Sequence, residues 1–201
     1  MSIEKIVECI NAKADMLTRA SDNIWEYAEM AFREHKSMNE ICAILEAEGF
    51  KVEKGIGDVE TAFSGTYGTG KPVIGILGEF DALDNLNQVA GATHKESFKE
   101  GCPGHGCGHN LFGIGSLAAA IAVKEYLKET GASGTVVYFG TPGEEGGSGK
   151  AFMARDGVFD GLDVALTWHP GDVNEVATGS SLANFSSSAV NLGAPISCIF
   201  S

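Results

Sequence analysis

The 201-residue chain carries 14 lysines and arginines against 27 aspartates and glutamates, a formal net charge of −13, with 44% hydrophobic and 20% charged residues. That length suits one ordinary domain with a sizeable core, and the composition excludes a disordered chain. The acidic balance argues against nucleic acid or an anionic membrane as a partner, no apolar run is long enough to span a bilayer, and the N-terminus shows no basic-then-apolar leader pattern.

Residues Ile3, Ile6, Val7, Ile10, Ala14 and Leu17 recur at helical spacing, so Ser2 to Ala20 is predicted to be one amphipathic helix capped by Ser2. Helical spacing continues over Ser21 to Met30 through Ile24, Trp25 and Ala28. Ser37 to Glu48 is a third helix, with Met38, Ile41, Cys42 and Leu45 inward and Gly49 ending it. Cys9 and Cys42 fall on these apolar faces and are expected in the core. Phe50 to Val52 and Thr61 to Tyr67 read as strands separated by Gly55 and Gly57. Gly65 to Lys71 matches G-x-x-x-x-G-K. Pro72 then stands where a phosphate loop needs Ser or Thr, and a strand follows instead of a helix, so it is not a nucleotide site.

Val73 to Leu77 is an apolar run suited to a buried central strand, and it ends in Gly78-Glu79-Phe80-Asp81. Carboxylates there are costly unless paired, metal-bound or at the surface. Asp84 to Glu100 reads as a polar loop with His94 exposed. Next comes Gly101-Cys102-Pro103-Gly104-His105-Gly106-Cys107-Gly108-His109-Asn110, with two thiols, two imidazoles and four glycines in ten residues. It is either a metal loop or a tight turn holding a buried thiol and a satisfied histidine. Leu111 to Glu129 is a long helix stopped by Gly131, which puts His109 at its N-terminus. Thr135 to Phe139 is a second buried strand, ending in Gly140-Thr141-Pro142-Gly143-Glu144-Glu145-Gly146-Gly147. A short helix over Lys150 to Arg155 follows, then a third buried strand, Val164 to Trp168, running into His169-Pro170.

Strands alternating with helices predict an α/β fold with a mostly parallel sheet flanked by helices, and ligands bind such sheets beyond the carboxyl ends of the strands. Glu79/Asp81, Glu144/Glu145 and His169 should therefore gather at one edge, where the Cys107/His109 loop can join them. A Cys, His, Glu, His set suits zinc or a similar divalent ion. Of two adjacent glutamates, one can bind metal while the other carries protons, which is the chemistry of amide or ester hydrolysis; the alternative for Glu144/Glu145 is a solvated acidic turn. The five cysteines, Cys9, Cys42, Cys102, Cys107 and Cys198, are odd in number and irregular in spacing. No disulfide framework is expected, and a cytoplasmic setting is.

Gly104-His105-Gly106-Cys107-Gly108-His109-Asn110, Thr141-Pro142-Gly143-Glu144-Glu145-Gly146 and Thr167-Trp168-His169-Pro170 together resemble the M20 metallopeptidase family, in its amidohydrolase branch, over residues 1 to 185. The resemblance implies a zinc-peptidase-like catalytic domain with two divalent ions, zinc or manganese, and an inserted lid that mediates dimerisation. It implies Cys107, His109, Glu145 and His169 as metal ligands, Glu144 as general base, and Asp81 as the aspartate that supports the metal centre. Glu79 stands where many members have a histidine ligand, and Asn110 where the wider branch has Asp. The implied substrate is a small amide, an N-acyl or aminobenzoyl amino acid; full-length relatives form dimers or pair with a homologous subunit. Ser186 to Ser201 does not resemble the lid's first strand. The expectation is an incomplete catalytic domain over 1–185, an aberrant tail over 186–201, no lid, and no activity in this chain. The competing expectations are a catalytically dead metal-binding fragment and a non-enzymatic protein with a structural zinc.

Overall fold

Strand β4 (Gly134–Gly140) lies at the centre of a five-stranded sheet, in the computed structural model that describes residues 2–171 of the chain. The order is β1 (Lys51–Lys54), β2 (Phe63–Thr69), β4, β3 (Val73–Gly78) and β5 (Val164–Leu166). Strand β3 pairs in parallel with β4 and β5, whereas β2 runs antiparallel to both β1 and β4. The sheet is thus mixed, with β2 alone opposing the common direction of the other four. Cys198, residues 172–185 of the resemblance and the 186–201 tail lie outside the described residues.

The period of two along β4 explains why its sequence is nearly all apolar. Val136 and Tyr138 face one core, made with α2 (Ala14–Tyr27), α3 (His35–Ala47) and α4 (His109–Thr130) through Ile24, Ile41, Leu45, Leu117 and Ile121. Val137 and Phe139 face a second, smaller core with Met153 of α6 (Gly149–Arg155), Phe159 and Leu162. Leu117 has no exposed surface. Truncating such a leucine to alanine typically costs about 2–5 kcal/mol.

Two sequence readings are corrected here. The single helix expected from Ser2 to Ala20 is two, α1 (Ile3–Asn11) and α2, separated at Ala12-Lys13. Ser2 does cap α1, accepting the Lys5 N–H at 3.4 Å. However, α1 buries none of its residues fully, and Ile3 and Val7 are exposed. Cys9 is accordingly only half-buried, while Cys42 sits in the core as expected. The third strand is also shorter and more exposed than its apolar run suggests. It stops at Leu166, and among the described residues it pairs only with β3, which leaves Val164 and Leu166 with open faces.

Glycine decides how closely α4 meets the sheet. A Cβ on Gly113 would stand 2.7 Å from the Glu79 carbonyl oxygen, so only glycine lets the helix descend onto the end of β3. Gly108, with φ 74°, turns the chain into the helix, and a Cβ there would strike Pro170 at 2.9 Å. These two approaches bring the N-terminus of α4 to the carboxyl ends of the strands. None of the described helices is long and apolar enough to cross a membrane.

Candidate metal centre

His109, the first residue of α4, is completely buried between two carboxylates from the end of β3. Its Nδ1 lies 2.9 Å from Asp81 Oδ1. Its Nε2 lies 3.1 Å from Glu79 Oε2 and 3.9 Å from Glu144 Oε2. Burial pushes the imidazolium of His109 down in pKa, but Asp81, Glu79 and Glu144 outweigh it and the net direction is up. Glu79 moves upward too, chiefly through burial, with Lys150 and His109 opposing. Lys150 of α6 donates a short ion-paired hydrogen bond to Glu79 Oε1, which leaves Oε2 as the oxygen facing His109.

Asp81 serves two elements at once. Its Oδ1 receives His109, and its Oδ2 accepts the Glu145 N–H at 2.8 Å, so the loop after β3 and the turn after β4 are fixed to each other. That turn begins at Gly143 and forms the short α5 (Glu144–Gly147), in which Glu145 and Gly146 leave helical geometry. Glu34, fully buried, accepts the Gly143 N–H at 2.8 Å and the Thr61 hydroxyl at 3.0 Å.

On the other side of His109, Cys107 Sγ lies 3.2 Å from His169 Nε2. His169 turns its Nδ1 to the Pro170 carbonyl at 2.8 Å and packs edge-on against His109 and Phe112. Trp168 packs against Phe112 as well. The aromatic contacts hold an otherwise exposed histidine over the helix terminus. Burial, followed by the Glu145 carboxylate beside it, pushes the Cys107 thiol up to about 12. Without a cation, then, this thiol stays neutral.

Two groups of donor atoms share His109. Those of Cys107, His109 and His169 lie within 4.8 Å of one another, and so do those of Glu79, His109 and Glu144. His109 Nε2 and Glu79 Oε2 are buried without a hydrogen-bond partner. Nitrogen, sulfur and oxygen donors that converge while leaving buried atoms unsatisfied are what a divalent cation requires, so the residues fit one.

Of the sequence-based site residues, Asp81, Cys107, His109, Glu144 and His169 thus come together. The Glu145 carboxylate lies beside Cys107 but outside both donor groups, and Glu79, whose role the sequence leaves open, stands in the second group. His105, the other imidazole of the glycine loop, turns away to the Ile24 carbonyl at 3.0 Å, and burial lowers it to about 4. Sequence reasoning missed Lys150 and Glu34. For Glu79 there was a signal, a carboxylate at the end of a buried strand; Glu34 had none.

The profile of peptidase family M20/M25/M40 matches residues 75–184, more than half of the chain and the span that holds these donors. The chain belongs to this family. As an M20 chain it is 47% identical over 183 residues to one of the subunits of the p-aminobenzoyl-glutamate hydrolase of Escherichia coli, with 91% of this chain and 38% of that protein covered. It is 30% identical to the mouse Xaa-Arg dipeptidase, with 85% and 38% covered. The chain therefore spans under two fifths of the length of these curated relatives. Among solved structures it resembles the Bacillus subtilis YXEP protein, a dinuclear metal binding peptidase of the M20 family, with TM-score 0.63, 21% identity and 79% of this chain and 44% of that one covered. The aminobenzoyl-glutamate utilization protein of Klebsiella pneumoniae gives TM-score 0.60, 18% identity, and 83% and 46% covered. These likenesses show the fold, an M20 catalytic-domain sheet with its helices.

Proposed function

We propose that this chain carries the metal-binding half of an amidohydrolase that cleaves the amide bond of N-acyl or aminobenzoyl amino acids. The observation that carries the reading is the pair of donor groups sharing His109, with the Glu144 carboxylate at their edge. The identity to the Escherichia coli hydrolase supports the substrate class. That relative is one subunit of its enzyme, so assembly with a second, homologous chain or as a dimer belongs to the same proposal. Residues 1–185 are the N-terminal part of the catalytic domain in this reading. The described cysteines are free thiols, which suits the cytoplasm.

Cys107, His109, Glu145 and His169 would hold the metal, with Glu79 placed to contribute an oxygen. A dinuclear site is proposed, with zinc favoured on the thiolate and imidazole side and manganese compatible with the carboxylates. When bound, the metal supplies Lewis acidity that polarises the amide carbonyl and lowers the pKa of water. The protein's own residues do the rest. Asp81 accepts the hydrogen bond of His109 Nδ1–H, which fixes the tautomer that leaves the Nε2 lone pair available to a metal. Pro170 does the same for His169. Glu144, half-exposed at the rim, would take a proton from the attacking water and return it to the leaving amine.

The activity is proposed for a protein of the relatives' length. The test is hydrolysis of p-aminobenzoyl-glutamate and N-acyl amino acids, with and without chelator, by the 201-residue chain and by the same chain extended through its downstream reading frame. Chelator-sensitive amide cleavage by the longer protein is the expected result. Metal binding without cleavage in either would leave a binding protein, and no metal in either would overturn the site itself.

A further inference from the structure

Glu34 lies between α2 and α3, far in sequence from every donor of the site, and has no exposed surface. A buried carboxylate is costly unless its oxygens are hydrogen-bonded, and here both are. Oε1 accepts the Gly143 N–H at 2.8 Å and Oε2 accepts the Thr61 hydroxyl at 3.0 Å. Gly143 is the residue from which the chain enters Glu144-Glu145, and its φ of 63° sets the direction of that entry.

The neighbours of Glu34 grip the same region. Phe32, itself at φ 61°, lays its ring against the turn, so that a Cβ on Gly143 or Gly147 would approach it to 2.9 or 2.6 Å. Glu29 accepts the Ala82 N–H through its carbonyl at 2.8 Å, and Met30 forms a bridge with Ala82. One short segment, 29–34, thus touches the loop after β3, which carries Glu79 and Asp81, and the turn after β4, which carries Glu144 and Glu145. Asp81 ties those two to each other from within, through the Glu145 N–H.

We propose that Glu34 is a positioning residue that sets the Gly143-Glu144-Glu145 turn and thereby fixes where the Glu144 carboxylate stands relative to His109. It touches neither substrate nor metal ligand atoms; it acts through the Gly143 amide. Its catalytic consequence rests on the hydrolase reading above, whereas its structural effect does not.

The experiment uses Glu34→Ala, Glu34→Asp and Glu34→Gln with two readouts. The first is amide hydrogen exchange of peptides spanning 141–147 in the 201-residue chain. Loss of the hydrogen bond in Glu34→Ala should speed exchange there about tenfold or more while exchange within α4 stays unchanged. Glutamine still offers an oxygen to Gly143 N–H and an amide donor to Thr61, so Glu34→Gln should stay within about threefold of the parent. The second readout is steady-state kinetics on the extended protein. There kcat should fall about a hundredfold in Glu34→Ala with KM changed less than about threefold, and glutamine should rescue it. Where the alanine variant does not fold, Glu34→Asp decides by the same measurements, because its shortened side chain withdraws the carboxylate from Gly143. Unchanged exchange over 141–147, acceleration spread evenly over the molecule, or a glutamine variant as defective as alanine would each overturn the assignment. If the parent hydrolyses nothing, the hydrolase reading fails, and the exchange data still decide the role of Glu34.

Discussion

Replacing Lys150 with methionine tests the charge arrangement of the centre most directly. Glu79 is 2% exposed and Lys150 7%, so their ion pair is screened very little by water. Methionine keeps most of the lysine stem's volume and removes the charge together with its hydrogen bond to Glu79. Losing one partner of a buried pair typically costs about 3–5 kcal/mol, because the other charge is left uncompensated. For a domain of this size that corresponds to a fall of roughly 6–20 °C in the thermal midpoint. The measurement is thermal and urea unfolding followed by circular dichroism, with chelator and reductant present so that metal does not contribute. The pH dependence has a definite sign. Burial already raises Glu79, Lys150 opposes that rise, and its loss raises the folded-state pKa further above the unfolded value of 4.5. A folded state that binds the proton more tightly gains stability as pH falls from that raised pKa toward 4.5. The deficit of Lys150→Met should therefore shrink on acidification, and Glu79→Gln added to it should recover much of the loss at neutral pH. A variant as stable as the parent, or a deficit that grows as pH falls, would refute the reasoning.

Three further outcomes are expected. Asp81→Asn replaces the charged acceptor of His109 Nδ1, and zinc affinity by competitive chelator titration should fall about 10–100-fold. In the extended protein, Glu144→Gln should abolish turnover while metal stays bound, whereas Glu145→Gln should also lose metal; the reverse pattern, read by elemental analysis, would swap their roles. Alkylation of Cys107 should be slow with metal and faster after chelation, because a ligating thiolate is shielded. Cys42, fully buried and pushed up to about 12 by that burial, should react only on unfolding.

The parts of the centre that the sequence made legible are those in which a local pattern meets a general rule of sheets. Val73 to Leu77 and Thr135 to Phe139 are apolar runs that end in carboxylates, and both are parallel strands delivering those carboxylates to one edge. The Cys107/His109 loop was visible because glycine, thiol and imidazole cluster within ten residues. The choice between its two imidazoles came from the family resemblance and not from the local pattern, because it turns on whether a backbone carbonyl or a carboxylate is near, and Ile24 lies 81 residues from His105. Glu79 meets Lys150 across 71 residues, and Glu34 meets Gly143 across 109. Neither leaves a period or a motif. The break between α1 and α2 was invisible for a similar reason. Ala12-Lys13 contains only good helix formers, and the helical spacing runs through it. The interruption is instead set by how each helix packs, α2 onto α3 and α4, and α1 onto α4.

The site draws its donors from strand ends and a helix start that are distant along the chain: Cys107 meets His169 across 62 residues, and His109 meets Asp81 across 28. None of these pairs exists until β3, β4 and β5 lie in parallel register, and non-local parallel pairing is slow to form. Ion capture is therefore expected after that pairing rather than before it. Interactions absent from the transition state slow unfolding and leave the folding rate almost unchanged. Chelation should therefore shorten the lifetime of the native molecule without delaying its formation, so that metal supply governs how long the protein persists rather than how fast it folds.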